Sequence, residues 1–239
     1  VEEFHKVRLL CPTYGAAYCV VGQLERFVLN DPNGADRIRK GFELAPCDPT
    51  TCFISGLLDA EEQRIDLSFE KFSRAVQLDG RFFSDVVDVY VNRVERPDLA
   101  IAIAGDDAGR LSHVANALAD IEEHKDLVEE TQSKVIELLK KKCSEPEPPA
   151  WALASLASMC RNKEDDEAAI EYYRRALLLD YGQVQWRFEL ARLLVDADRV
   201  SEAIHEARIC LRLRPQFEAA ERLIEQLSVL PGAIEEPAP

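Results

Sequence analysis

The sequence is poor in the residues and motifs on which most site chemistry depends. It has four histidines, His5, His113, His124 and His205, no two within four residues of each other, so the paired ligands of a helical metal site are missing. No HExxH, GxSxG, GxxxxGK[ST] or GxGxxG pattern occurs, which removes the common zinc-protease, serine-hydrolase, P-loop and dinucleotide signatures. Basic residues are scarce: 29 Lys and Arg face 44 Asp and Glu, a formal net charge of -15. Such a chain repels a phosphate backbone, so nucleic acid is excluded as the expected partner. No apolar run reaches the roughly 18 residues that a bilayer-spanning helix needs, and the opening VEEFHKVRLL has neither a starting Met nor a signal-peptide pattern. Seven cysteines form no CxxC pair, and an odd number cannot all pair internally. They read as free thiols acting as small buried hydrophobes, which leans towards a reducing compartment.

What is present is a soluble composition, 47% hydrophobic and 31% charged, and a period. "AAIEYYRRALLLD" (168–180) aligns with "EAIHEARICLRLRP" (202–215) so that Ala169, Ile170, Ala176, Leu177 and Leu179 meet Ala203, Ile204, Cys210, Leu211 and Leu213. The offset is 34 throughout. "NGADRIRKGFELAP" (33–46) and "LSFEKFSRAVQLDG" (67–80) repeat at the same offset, pairing Ile38 with Phe72, Gly41 with Ala75 and Leu44 with Leu78. Before each stands a second segment with a small residue at a fixed place, Gly22, Gly56, Ala157 or Ala191, which lets two helices approach closely. Pro12 lies 34 residues before Pro46, so "EEFHKVRLLCP" reads as the second half of a unit. The start at Val1 is then expected to be a cut within a longer chain.

These units resemble the tetratricopeptide repeat, a pair of antiparallel helices every 34 residues with the pattern W-x2-L-G-x2-Y, A-x3-F, P. The unit from Gly15 matches with Tyr18, Val21, Gly22 and Pro46, and that from Pro49 with Gly56, Phe72 and Ala75. The unit from Ala150 matches with Leu156, Ala157, Ala169, Tyr173 and Ala176, and that from Val184 with Leu190, Ala191, Ala203 and Pro215. Glu25 and Asp59 depart from the pattern in a place usually aromatic, as do Gly34 and Ser68 in a place usually Ala. The resemblance implies an all-α fold, a right-handed α-solenoid of antiparallel helix pairs with about five to six repeats and an irregular middle.

The expected organisation is one continuous solenoid: the half-repeat 1–14, two repeats over 15–82, a degenerate stretch 83–149, two repeats over 150–217, and a capping helix with tail over 218–239. Within the degenerate stretch, "SDVVDVYVNRVE" reads as a helix begun by Ser84 and "RPDLAIAIAG" as a short helix from Pro97 to Gly105. "GDDAG" (105–109) reads as a helix stop followed by an N-cap on Asp106 or Asp107 rather than as a phosphate or metal site. A long helix then ends in Lys140, Lys141 and Lys142, which answer its dipole, and "SEPEPP" (144–149) is an extended connector.

With neither catalytic signature nor metal set, no cofactor is expected, and recognition remains. By the resemblance, the first helix of each pair lines a concave groove. Its exposed places here are Cys19, Gln23 and Arg26; Phe53, Leu57 and Ala60; Trp151, Ala154, Ser158 and Arg161; and Gln185, Phe188, Arg192 and Val195. Arginine and aromatic residues dominate binding hot spots, so Arg26, Arg161 and Arg192 would give a locally basic groove floor. The competing reading is that Phe53 and Phe188 pack between helices and the arginines pair with nearby acids. The lysine and asparagine with which chaperone-tail-binding members hold a C-terminal carboxylate are absent from the corresponding places.

Two functions follow. The first is a non-catalytic scaffold that binds a protein, a peptide or another part of its own chain. The second is a soluble extracytoplasmic part of a larger enzyme, because the last 60 or so residues are similar to the repeat region of bacterial O-antigen ligase or polymerase-like membrane proteins.

Overall fold

The computed structural model describes residues 6, 7 and 10–228. The half-repeat expected over 1–14 lies largely outside the described residues, and the tail 231–239 wholly so. Thirteen helices form among the described residues, with no strand. In order they are α1 (Gly15–Gln23, continued by a π-helical turn Leu24–Val28), α2 (Asn33–Leu44), α3 (Pro49–Glu61), α4 (Ile65–Leu78), α5 (Phe83–Asp88, continued by a π-helical turn Val89–Arg93) and α6 (Pro97–Ala104). There follow α7 (Ala108–Leu118), α8 (Lys125–Cys143), α9 (Ala150–Asn162), α10 (Asp166–Leu179), α11 (Val184–Asp196), α12 (Val200–Leu213) and α13 (Glu218–Ser228). The chain divides into two compact units, 1–132 and 133–239, with the division inside α8. Among the described residues no helix is long and apolar enough to cross a membrane.

In the first unit, α1 packs on α2 and α3 on α4. Glycine decides the first contact. A Cβ on Gly22 would stand 2.6 Å from the Gly34 carbonyl and 2.8 Å from Ile38 Cγ1, and one on Gly41 would stand 2.6 Å from both Cys19 Sγ and the Gly15 carbonyl. The two helices therefore meet backbone to backbone, closer than any side chain allows. In the second pair Gly56 accepts the ring of Phe72, 2.8 Å from where its Cβ would be. Cys19, Ile38, Ile54 and Leu58 form the core between the pairs.

Local signals place the ends. The Asp48 carboxylate accepts from the Thr51 amide at 2.9 Å with Pro49 in the first turn of α3, and Asp107 accepts from the Arg110 amide at 3.0 Å to cap α7. Pro97 opens α6 and Gly105, at φ 60°, closes it. The helix expected to begin at Ser84 instead starts at Phe83, because a 3-10 turn over Gly80–Phe82, capped by Asp79, leads directly into it.

Glu25 and Asp59, the two acids in an aromatic place, are buried. Each meets a cation from the second helix of its pair, Glu25 with Arg37 at 2.7 Å and Asp59 with Lys71 at 2.5 Å. Arg37 and Lys71 are themselves 34 residues apart, so the buried ion pair is a repeated device. Arg64 adds a second contact to Asp59 at 2.5 Å, and the Ser55 hydroxyl accepts from Lys71 at 2.7 Å.

The second unit keeps the period most strictly. The bounds of α9 and α10, residues 150, 162, 166 and 179, become those of α11 and α12, residues 184, 196, 200 and 213, on adding 34. The turns agree: Glu164 and Asp198 both have positive φ, and the amides of Asp165 and Arg199 close onto the carbonyls of Cys160 and Leu194. This is the tetratricopeptide-like helix pair. Tyr173 and Ala176 turn inwards with Ile170 against Leu153, Ala157 and Leu190. The closing helix α13 covers Ala207 and Cys210 through Ala220.

All seven cysteines are free thiols, with Cys19, Cys52 and Cys210 buried and Cys11 and Cys47 exposed. Burial pushes the Cys19 thiol up to about 12 and the Cys210 thiol up to about 11, and burial likewise pushes the Tyr90 phenol up to about 12. Mass spectrometry after iodoacetamide treatment at pH 8 is expected to find Cys11 and Cys47 alkylated and Cys19 and Cys210 protected. Early labelling of Cys19 in the folded chain would contradict this packing. These groups hold their protons in the folded chain above the pH at which they lose them unfolded. Their contribution to stability is therefore complete below about pH 9 and is lost as pH rises towards 12, visible as a falling urea midpoint.

Candidate functional site

Two of the first helices carry an extra residue. In α3 the chain closes normally, the Arg64 amide bonding the Asp59 carbonyl at 2.8 Å, five residues back. After α1 the Asp31 amide reaches the Glu25 carbonyl, and after α5 the Arg96 amide reaches the Tyr90 carbonyl, both at 2.8 Å and six residues back. Each extra residue makes a π-helical turn, and every side chain beyond it is rotated by roughly 100° about the helix axis. Such turns recur at functional sites.

Both π turns border one cleft of about 470 Å³ in the first unit. Its apolar surface comes from Phe27 on the first π turn, Leu57 and Ala60 on α3, and Val89 and Val94 on and after the second π turn. Gln23, Glu61, Gln63 and Arg93 supply the polar rim. Phe27 is 39% exposed, and the neighbouring Val28 and Leu29 are more so at 66% and 60%, so apolar surface continues out of the cleft. The charges at the rim are already closed. Arg26 gives both Nε and Nη2 to the two Glu61 oxygens at 3.2 and 3.1 Å, and Arg93 pairs with Asp88 at 3.4 Å.

Of the groove residues expected from the sequence, Gln23, Leu57 and Ala60 line this cleft and Arg26 flanks it through Glu61. Phe53 does not face it: its ring stacks on Phe82 at 5.0 Å and lies 5.5 Å from Phe72. Cys19, Ala60 and Ala154 are buried. In the second unit Trp151 is 45% exposed with the Lys142 ammonium 4.7 Å above its ring. Burial raises the pKa of the Tyr173 hydroxyl, and the nearby Ser158 opposes that rise. Phe188 meets Phe217 edge-on at 5.1 Å. Glu189 takes both arginines there, Arg161 in close contact and Arg192 at 3.4 Å, while Gln185 stays exposed. The packing alternative therefore describes Phe53, Phe188 and the three arginines, and no basic floor of unpaired arginines forms.

Phe27, Glu61, Gln63, Val89, Arg93 and Val94 were not among the residues expected from the sequence. The 34-residue register pairs Phe27 with Glu61, one place beyond Arg26 and Ala60, where the expected groove positions end, and Phe27 and Glu61 both line the cleft. No group of His, Cys, Asp and Glu suited to a metal ion occurs among the described residues. His5 lies outside them, and His113 sits 6.0 Å from Phe83, ring to ring. Cys52 donates to the Pro46 carbonyl at 3.3 Å.

No family model matches the chain. A protein of Cyanophora paradoxa described as the uncharacterized protein ycf37 is 30% identical over 119 residues, which are 50% of this chain and 67% of that protein. The chain belongs to the ycf37 family. Among solved structures, yeast Tom70 aligns over 95% of this ycf37-family chain and 48% of its own at 18% identity and TM-score 0.47. The APC/C hetero-tetramer Cut9-Hcn1 aligns over 94% and 44% at 16% identity and TM-score 0.47. YrrB, a TPR protein with an unusual peptide-binding site, aligns over 93% and 97% at 13% identity and TM-score 0.35. The chain thus spans less than half the length of the Tom70 and Cut9-Hcn1 chains it aligns with.

Proposed function

We propose that this chain is a non-catalytic scaffold of the ycf37 family that binds a protein or peptide segment, with the cleft of the first unit as its principal site. The cleft carries the reading: its volume of about 470 Å³ and its apolar lining with a few polar groups are the features of a site for one bound side chain and its surroundings. Gln23, Leu57 and Arg26 act there directly, and Phe53 holds the α3 face by packing. The solvent-facing Trp151, Ser158, Gln185 and Arg192 form the corresponding surface of the second unit, supported by Phe188 and Arg161. No comparison supports the alternative of an extracytoplasmic part of an O-antigen ligase-like membrane protein.

The substitution Leu57→Glu tests the reading, because it sets a carboxylate on the apolar floor without touching a core contact. Peptides selected by display on the wild-type chain are expected to bind the variant at least about tenfold more weakly, a loss of roughly 1.4 kcal/mol. Circular dichroism and melting should stay near the wild type. Equal binding by both chains sinks the assignment of the cleft.

A further inference from the structure

We infer that the occupant of the cleft is an uncharged, extended segment of a partner protein, with one large apolar side chain seated on Leu57 and its main chain paired with the carboxamides of Gln23 and Gln63. This rests on the function proposed above and adds the chemistry of the partner.

The two glutamines carry the first step. Both line the cleft, and among the described residues neither carboxamide has a hydrogen-bond partner. A carboxamide offers one acceptor and two donors in a plane, the same pattern as a peptide group. Its natural complement is a main-chain amide whose N–H and C=O are both unused. A helix has spent those groups on itself, whereas an extended segment presents them. Gln63 is also held ready: it sits at φ 59° in the turn that closes α3, its own amide bonded to the Ala60 carbonyl at 3.1 Å and the next amide to Asp59.

Charge carries the second step. Arg26 is bidentate on Glu61, and Arg93 is engaged by Asp88. The rim thus carries both signs: a ligand carboxylate would lie beside Glu61, and a ligand ammonium beside Arg93 and Arg26. Either charge meets a like charge as well as an opposite one. A neutral segment leaves both pairs intact and buries apolar surface on Phe27, Leu57 and Val89, which is the favourable term.

The test uses the full chain, 15N-labelled and titrated with the capped pentapeptide acetyl-Ala-Ala-Leu-Ala-Ala-amide, with amide shifts as the readout. Shifts are expected at Gln23, Leu57 and Gln63. Two further peptides probe the chemistry: one with Asp in place of Leu, and one N-methylated on the residues flanking Leu, which cannot donate from those amides. Each is expected to bind roughly tenfold more weakly, the scale of one or two lost hydrogen bonds or a lost apolar contact. The double variant Gln23→Ala, Gln63→Gly should weaken the Leu peptide by a similar factor, glycine being chosen because it suits the positive φ. If that variant does not fold, the N-methylated peptide still tests the same bonds on the wild-type chain. Binding that depends on Leu57 but ignores N-methylation and the glutamines overturns the inference and leaves the proposed function standing. An Asp peptide that binds as well as the Leu peptide overturns the uncharged occupant. Failure of every peptide, the display-selected ones included, to bind through Leu57 overturns both.

Discussion

Asp59→Ala is expected to cost the first unit about 3–5 kcal/mol, the loss that follows when one member of a buried ion pair is removed. Asp59 is 1% exposed and takes charge-assisted bonds from both Lys71 and Arg64. Without it the Lys71 ammonium, itself only 18% exposed, keeps Ser55 and the face of the Phe42 ring at 4.6 Å as partners but has no counter-charge. Urea denaturation followed by circular dichroism should report the loss, and the melting temperature should drop by roughly 10 °C. The double variant Asp59→Leu, Lys71→Met separates charge burial from shape. It returns an apolar residue to a place where related repeats carry an aromatic, and it should recover to within about 1 kcal/mol of the wild type or exceed it. A single variant as stable as the parent means the carboxylate is not holding α3 to α4. The same logic extends to Glu25 and Arg37, where the pair recurs.

Gly22→Val should cost about 3 kcal/mol, at the upper end of overpacking effects, because the obstacle is backbone. The new Cβ would lie 2.6 Å from the Gly34 carbonyl and 2.9 Å from the Ile38 amide nitrogen, and neither can move without displacing α2. Since Gln23 and Phe27 follow Gly22 on the same helix, the variant should also lose peptide binding, seen by the same titration. Gly182→Ala is the matched control: its added carbon meets only Asp180 Oδ1, at 3.8 Å, and stability should stay level or rise by up to about 1 kcal/mol. Equal costs at the two positions would mean that α1 and α2 separate without penalty.

The helix pairs were legible because each is decided within about 30 residues of chain. Ala169 with Tyr173 and Ala176 on α10, and the small residues at 22, 56, 157 and 191, state which faces meet, and Asp48, Pro97, Gly105 and Asp107 mark ends through local hydrogen bonds and φ. The partners of the groove arginines were not legible. Arg26 finds Glu61 35 residues on and Arg161 finds Glu189 28 residues on, contacts between successive pairs that depend on rotational phase rather than on spacing. The cleft depends on two π turns, and a π turn alters phase without leaving a composition signal. Its trace in the numbering is slight: from Glu25 to Asp59 is one full period, but from Asp31 to Arg64, which follow the two turns, is one residue less. The division inside α8 was hidden for a related reason. Thr131, Val135 and Leu139 are buried at every fourth residue straight through it, so no break in pattern marks where one unit ends.

The strict 34-residue step of the second unit bears on how such a chain can change length. The pairs α9–α10 and α11–α12 have interchangeable bounds and closing bonds, so a gene duplication that copies one of them inserts a module whose edges already match its neighbours. The cleft cannot be multiplied in that way. It is assembled from three unlike helices, two of them out of step with the period, and copying any one pair reproduces only a wall. Descendants of this chain could therefore gain or shed modules in the second unit while the first keeps a single, unduplicated specificity.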